Sequence, residues 1–300
     1  VLISLVAGAT SAFASLLRVA IQQISGPAMH LAELAVGAAI LHGVLLLLMH
    51  FTSPQKIYTR FLLAHVSGAL LGKVEELAYE KGMTAVNGPF GFTDMDREGM
   101  LTEGFENMGA FTTLYNYSYY PEHLEKLGYI KDAEWIQREF DVPEDVPEKL
   151  KQYSRIVKQK YRVSILETKS KKELRVYALD LFHALNKAFV PLYGFTPISQ
   201  KQIEWYVDQF LPLINMDLVC LVVNEEDKVV AFAVTMPSLS RAMRESNGRM
   251  FPFGFFKLLK ALKSFELVDL YMIGIIPEYQ NKGINAVIFD YLNSNFIRLG

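Results

Sequence analysis

The sequence predicts a mixed α/β (α+β) protein in which helices flank a sheet. From about residue 160 onward, amphipathic helical patterns alternate with short runs of β-branched residues. Two of those runs are joined by the polar tip 224–228, a pattern typical of a β-hairpin. The 300 residues are enough for two domains of ordinary size.

The first 63 residues differ from the rest in charge. Residues 1–63 hold one acidic and three basic side chains, whereas residues 64–300 hold 31 acidic and 27 basic side chains. Their apolar stretches, 1–17 and 34–49, are shorter than the roughly 20 residues that span a bilayer. Three interpretations stay open for this segment: a membrane hairpin through 1–50, a buried helical layer, or sequence that is not the native partner of the rest. We expect the chain to be a fragment.

Residues 64–145 carry a first set of patterns, and Pro143 and Pro147, set among acids, predict a linker over 146–159. The predicted elements before the linker are a helix over 70–81 ended by Gly82, a strand over 83–87, a helix over 121–128 and an extended segment over 135–142.

Residues 160–300 carry the second set. The predicted elements are a strand over 161–166, a helix over 171–189, a helix over 199–213 capped by Ser199, strands over 218–223 and 229–236, and a strand over 268–276 that leads into a final helix.

Composition excludes several classes of function. The net charge of −2 argues against a nucleic-acid-binding protein. The single cysteine, Cys220, lies in an apolar run and cannot form an internal disulfide, which is typical of a protein in a reducing compartment. We therefore expect a cytoplasmic protein, with membrane association through 1–50 as the alternative. The six histidines lack metal-ligand spacing, and the acidic loop at Asp94 has Phe105 where a calcium loop needs Glu. We expect no metal.

The most informative motif follows the strand over 268–276. Pro277 stops the strand, and residues 280–285 form a turn and the first positions of a helix. Backbone N–H groups at such a helix start have no intrahelical partner and attract phosphate. The turn resembles the acyl-CoA motif Gln/Arg-x-x-Gly-x-Gly/Ala of the GNAT (Gcn5-related N-acetyltransferase) superfamily, with Gln280 and Gly283 matching and Asn285 standing where the family has Gly or Ala.

Other segments extend the resemblance over about 64–300. The loop that begins Gly-Pro-Phe-Gly-Phe-Thr-Asp-Met-Asp at Gly88, the Tyr-rich helix start near Pro121 and the turn at Gln280 resemble bacterial tandem-GNAT proteins of undetermined substrate. The resemblance implies a GNAT-like mixed sheet flanked by helices in two incomplete modules, the end of one at 64–145 and the beginning of another at 160–300.

The resemblance also implies an activity, the transfer of an acetyl or other acyl group from acyl-CoA to a small-molecule or peptide amine. A noncatalytic acyl-CoA-binding or regulatory protein of the same fold is the alternative, and a protein anchored in the membrane through 1–50 is a third. Main-chain groups of Ile275 and Ile276 would be free for the pantetheine arm. The diphosphate would bind the turn, which consists of Gln280, Asn281, Lys282, Gly283, Ile284 and Asn285.

Candidate catalytic groups follow from the same resemblance. Asp269, near the start of the fourth strand, would be the general base, unless it is an ordinary solvated carboxylate. Tyr119 or Tyr120 would be a general acid only if the first module has its own site; otherwise they form an aromatic patch. A Cβ at Gly283 is expected to enter the phosphate space and to weaken binding rather than the fold.

The basic insertion between the third and fourth strands has several interpretations. Residues 238–263 hold six basic side chains and one acid, and phenylalanine and leucine alternate with the lysines of its second half. It could cover a substrate cleft, contact the CoA 3′-phosphate, lie on a membrane surface, or pack with a solvated basic face.

Overall fold

The computed structural model describes residues 57–300 except 92, 94, 97 and 169. These residues form eight α-helices and one four-stranded antiparallel sheet, which confirms the predicted mixed α/β class. The helices are α1 (Ile57–Glu80), α2 (Tyr119–Lys126), α3 (Glu148–Tyr161), α4 (Lys171–Phe189), α5 (Gln200–Phe210), α6 (Ser240–Glu245), α7 (Gly254–Ala261) and α8 (Ile284–Leu299). The strands are β1 (Ser164–Ile165), β2 (Val219–Val223), β3 (Val229–Pro237) and β4 (Val268–Ile275). The predictions for 1–56, including the membrane hairpin, fall outside the described residues.

The chain divides into two compact units. Within the described part of the chain, the first comprises 57–91, 99–103 and 116–130, and the second comprises 93–98, 104–115 and 131–300. The division of the chain into two GNAT-like modules stays a prediction.

The first unit is built from α1, α2 and the loops beside them. Gly82 ends α1 in the left-handed conformation, with a φ of 72°, as predicted. The buried Asn116 side chain holds a loop by accepting from the Leu101 N–H at 2.7 Å and donating to the Leu101 carbonyl at 3.0 Å. The strand predicted over 83–87 is wrong, because these residues follow the helix as irregular loop with no sheet partner among the described residues.

The sheet of the second unit runs in the order β1-β2-β3-β4. Every residue of β2 and β3 is buried, so both of their faces are covered. In β4 a Cβ on Gly274 would come within 2.5 Å of the Phe232 ring, which explains why the fourth strand has glycine beside the largest side chain of the third. Burial also raises the pKa of Cys220 in β2 to about 12, as expected for a core thiol.

Helices pack on this sheet from the positions that the sequence predicts. Helix α4 has the predicted bounds; its N-cap Ser170 accepts from the Glu173 N–H at 3.2 Å, and it packs on β3 and β4. Helix α5 packs on α4 and begins after Ser199, whose N–H donates to Gln202 at 2.9 Å. Helix α8 packs on β2 and on α3.

Three expectations about the second unit need correction. The predicted linker at 146–159 is mostly α3, whose narrow stripe of Ser154 and Val157 is buried while its other positions are largely polar. The strand predicted over 161–166 shrinks to two residues because α3 extends to Tyr161. No strand forms in the extended segment 135–142. The basic insertion contains the two short helices α6 and α7.

Candidate functional site

Strand β4 carries its candidate ligand groups along an open edge. It pairs with β3 on one side, and no described strand pairs with the other. The Ile276 N–H donates to the Val230 carbonyl at 3.0 Å, so alternation along an antiparallel pair directs the N–H and C=O of Ile275 toward the open edge. The Ile275 carbonyl accepts from the Gln280 amide at 3.0 Å.

The prediction that main-chain groups of both Ile275 and Ile276 are free for a ligand therefore needs a partial correction. Ile276 cannot offer its N–H to a ligand, because β3 already uses it. Ile275 keeps its N–H on the open edge, and Gln280 is engaged in holding the end of β4 rather than pointing away from the protein. Gln280 thus has a structural role that the motif did not indicate.

The turn after β4 presents a row of backbone donors. The five successive N–H groups from Asn281 to Asn285 meet no acceptor within the described part of the chain. Asn281 and Gly283 have positive φ values of 58° and 76°, and helix α8 begins directly afterwards. Left-handed residues at a helix start gather successive N–H groups into an anion-binding concavity, which the helix dipole reinforces. The turn has the chemistry that a diphosphate requires.

The side chains of the turn have different surroundings. Ile284 is fully buried, so only its backbone can face a ligand, whereas the Asn285 side chain is exposed. The Lys282 ammonium lies 5.0 Å from the Tyr279 ring centroid and 5.4 Å from that of Tyr161. These contacts hold one cation beside the row of donors.

A cleft of about 390 Å³ adjoins the turn at Lys282. Its basic side chains are Lys160, Arg162 and Lys282, and its acids are Glu225 and Glu226. The Arg162 guanidinium pairs with Glu225 at 3.3 Å, which leaves Lys160, Lys282 and Glu226 as the other charged side chains of the lining.

The expectation for Gly283 is corrected by its neighbours. A Cβ there would lie 2.9 Å from the Tyr153 ring and 3.3 Å from Val157, both on α3. The missing side chain thus makes room for α3, and its φ of 76° is one that other residues adopt only with strain. A substitution at Gly283 acts on the fold first.

Asp269 lies at the far end of β4 from the turn, opposite Met236. Six residue steps along the strand lead from Asp269 to Ile275, about 20 Å at the usual rise per residue. Burial raises the pKa of Asp269 above its usual range, while the Ser238 hydroxyl and the Phe111 N–H oppose the rise. Its Oδ2 is buried and meets no hydrogen-bond partner among the described residues. A partly desolvated carboxylate with a free oxygen suits a proton acceptor.

Tyr271 is a neighbour of Asp269 that the sequence analysis missed. The register between β3 and β4 shifts here: Val234 pairs with Met272 and Thr235 with Leu270, so Tyr271 is the extra residue of a bulge. Burial and the Asp269 charge raise the pKa of Tyr271 to about 12. The phenol therefore keeps its proton and can donate a hydrogen bond. A strand pattern alone gives no signal for a bulge.

Tyr119 and Tyr120 belong to the first unit, whereas Asp269 and the turn belong to the second. The Tyr119 ring lies 4.9 Å from that of Tyr120 and stacks on Tyr117 at 6.0 Å between centroids. This arrangement agrees with the aromatic-patch interpretation. A catalytic role for either tyrosine stays a prediction.

The absence of a metal also stays a prediction. The described residues contain no group of three or more His, Cys, Asp or Glu side chains placed to hold a metal ion.

Sequence comparison relates the chain to two curated bacterial proteins. Protein YghO of Escherichia coli is 27% identical over 229 residues, which cover 74% of this chain and 57% of that protein. A bacterial ceramide synthase of Caulobacter vibrioides is 24% identical over 204 residues, 66% of this chain and 51% of that protein. The chain therefore spans about half the length of these relatives. No protein-family model and no solved structure matches.

The helices that the structure describes do not reach the dimensions of a bilayer crossing. From residue 57 onward, none combines the length and the apolar character that a membrane crossing needs.

Proposed function

We propose that this chain belongs to a GNAT-like N-acyltransferase that moves an acyl group from acyl-CoA to an amine. The observation that carries the proposal is the row of five backbone N–H groups without acceptors, Asn281 to Asn285, directly after the edge strand β4. The strand before it offers a main-chain N–H on its open edge, at Ile275. A ligand with a diphosphate and an amide-containing arm is complementary to both features.

The proposed chemistry assigns one role to each group. The turn holds the diphosphate, and β4 orients the arm so that the thioester lies near Asp269. The Asp269 carboxylate accepts the proton of the attacking amine, because its raised pKa makes it a stronger base than a solvated aspartate. The neutral Tyr271 phenol donates a hydrogen bond to the carbonyl oxygen as negative charge develops there. The thioester C–S bond breaks as the new amide bond forms, and the thiolate leaves.

The acceptor in this proposal is a long-chain lipid amine. Ceramide is by chemical definition the N-acyl product of a long-chain amino alcohol, and one relative is named for making it. We extend that substrate class to this chain. The cytoplasmic location expected from sequence is kept, with acetyl-CoA or a longer acyl-CoA as the donor. This choice narrows the small-molecule or peptide acceptor expected from sequence to one class of small molecule.

Two measurements test the proposal. In amide-resolved NMR, CoA is expected to shift the N–H signals of 281–285, whereas pantetheine, which lacks the diphosphate, leaves them in place and shifts Ile275. Thiol release from acyl-CoA is then followed with a long-chain amino alcohol and with a short diamine. Binding of CoA without thiol release from acyl-CoA in the presence of either amine would support the noncatalytic alternative, and unmoved turn signals would refute the site itself.

A further inference from the structure

The segment 249–263 exposes more apolar surface than a solvated helix requires. Phe251, Phe253 and Phe256 are 81%, 72% and 66% exposed, and Met250 and Leu259 are each close to half exposed. A soluble surface rarely groups this many large apolar side chains within so few residues unless something covers them. Leu258, Ala261 and Leu262 of the segment are half-buried, so packing accounts for one side of it and leaves the exposed phenylalanines unexplained.

The insertion that includes this segment carries positive charge that is only partly compensated. Lys257 pairs with Glu245 at 3.6 Å, and Arg241 of the preceding helix pairs with Glu266 at 3.3 Å. The remaining four cations of the insertion form no ion pair with any residue that the structure describes; they are Arg244, Arg249, Lys260 and Lys263. Any surface that covers the phenylalanines must therefore carry negative charge.

Helix α7 mixes the two kinds of side chain on one face. Phe256 and Leu259 are three residues apart and Lys260 follows Phe256 by four, so these three side chains project on the same side. Lys263 follows in the turn directly after the helix. Lysines beside an apolar stripe can extend their ammonium groups toward phosphates while the stripe enters hydrocarbon.

The loop before α7 is held in a fixed shape. A Cβ on Gly254 would lie 1.8 Å from the Arg249 carbonyl oxygen, so the backbone doubles back closely at this point. The Phe255 N–H donates to the Met250 carbonyl at 2.7 Å and closes the loop. Phe251 and Phe253 therefore project from a loop whose backbone is closed by a hydrogen bond.

We propose that the surface formed by 249–263 docks on an anionic lipid bilayer, with its phenylalanines in the interface and its free cations on lipid phosphates. The proposal adds a membrane contact in the second unit, and the contact expected through 1–50 stays a prediction. It does not depend on acyl transfer, since vesicle binding needs neither CoA nor an amine.

The test uses co-sedimentation of the whole chain with phosphatidylcholine vesicles with and without about 30 mol % phosphatidylglycerol. Wild type is expected to bind the anionic vesicles, and to bind less at high salt. The double variants Phe251→Ser/Phe253→Ser and Lys260→Glu/Lys263→Glu should each lower the partition coefficient at least about tenfold.

Matched control variants distinguish docking through 249–263 from nonspecific binding to vesicles. Phe140→Ser removes a phenylalanine that is also 72% exposed, and Lys172→Glu/Lys201→Glu makes the same charge change on exposed lysines elsewhere in the unit. Both should bind as wild type does. Equal loss in the controls, full binding by both test variants, or no binding to anionic vesicles overturns the proposal. Concentration-dependent self-association that the phenylalanine variant abolishes would assign the surface to a protein partner instead.

Discussion

Burial of a single carboxylate, Asp269, gives the candidate site its most specific chemical feature. The side chain sits at the start of β4 with Oδ2 buried and unpartnered in the described part of the chain, and burial raises its pKa. A residue kept in this state weakens the folded protein whenever it is ionised. The same property makes it a better base.

Asp269→Asn should therefore separate activity from stability. We expect turnover with acyl-CoA and amine to fall about 10²- to 10⁴-fold, the usual contribution of a general base. Because the folded-state pKa is raised above 3.8, the stability linked to this group is present at low pH and is lost as pH rises through the folded-state value. The urea midpoint of wild type minus that of Asp269→Asn should become more negative from about pH 4 to about pH 7. A difference that does not vary with pH would contradict the raised pKa.

Gly283 offers a second prediction at this scale. Gly283→Ala should lower the free energy of unfolding by about 1–2 kcal/mol, because alanine resists a φ of 76° and its Cβ meets Tyr153. In a double-mutant cycle with Tyr153→Ser, part of that loss should be recovered, since the ring is one of its two causes. Urea denaturation of the four proteins measures both quantities. Unchanged stability together with lost CoA affinity would instead restore the phosphate-space interpretation.

At the scale of elements, α3 changes how the site is supported. The predicted linker is a helix that buries Val157 and packs along α8, the helix that begins at the turn. Tyr153 and Val157 of α3 both approach Gly283. Helix α3 therefore supports the turn whose N–H groups are proposed to bind the diphosphate. Pantetheine and diphosphate recognition would then depend on a segment outside the motif itself.

Arg155→Pro tests whether α3 is an integral helix. Arg155 is exposed in the middle of the helix, so proline there removes a backbone hydrogen bond without deleting a buried side chain. The expected loss is about 3 kcal/mol or more of unfolding free energy, measured by urea denaturation. Arg155→Ala keeps the helix and should lie within about 0.5 kcal/mol of wild type. A proline variant as stable as the alanine variant would mean that 146–159 behaves as a linker after all.

At the scale of the whole molecule, the described core belongs to one unit. Among the side chains that the structure describes, all buried hydrophobic ones fall between Val146 and Leu292, and β2 and β3 form the centre of that core. In the first unit, the described side chains include no buried hydrophobic one. The two units should therefore differ in local stability.

Hydrogen exchange monitored by mass spectrometry checks this difference. Peptides from 219–223 and 229–237 should exchange at least about a hundredfold more slowly than peptides from 57–91 and 116–130, corresponding to roughly 3 kcal/mol in opening free energy. Uniform protection across both units would show that the first unit is stabilised by more than its described contacts.

The sequence by itself determined the helices and strands with strong periodicity and the place of the turn. The bounds of α4, the cap at Ser199 and the β2–β3 hairpin all follow from local patterns, because side-chain spacing and capping chemistry act over a few residues.

Only the tertiary structure decided what surrounds those elements. The α3 stripe is too narrow to distinguish a helix from a polar linker until α8 covers it. The bulge at Tyr271, the partial burial of Asp269 and the contact between Gly283 and Tyr153 all depend on residues distant in sequence. Burial, register and steric room are properties of neighbours brought together by folding, so a motif predicts where donors lie along the chain but not what holds them in place.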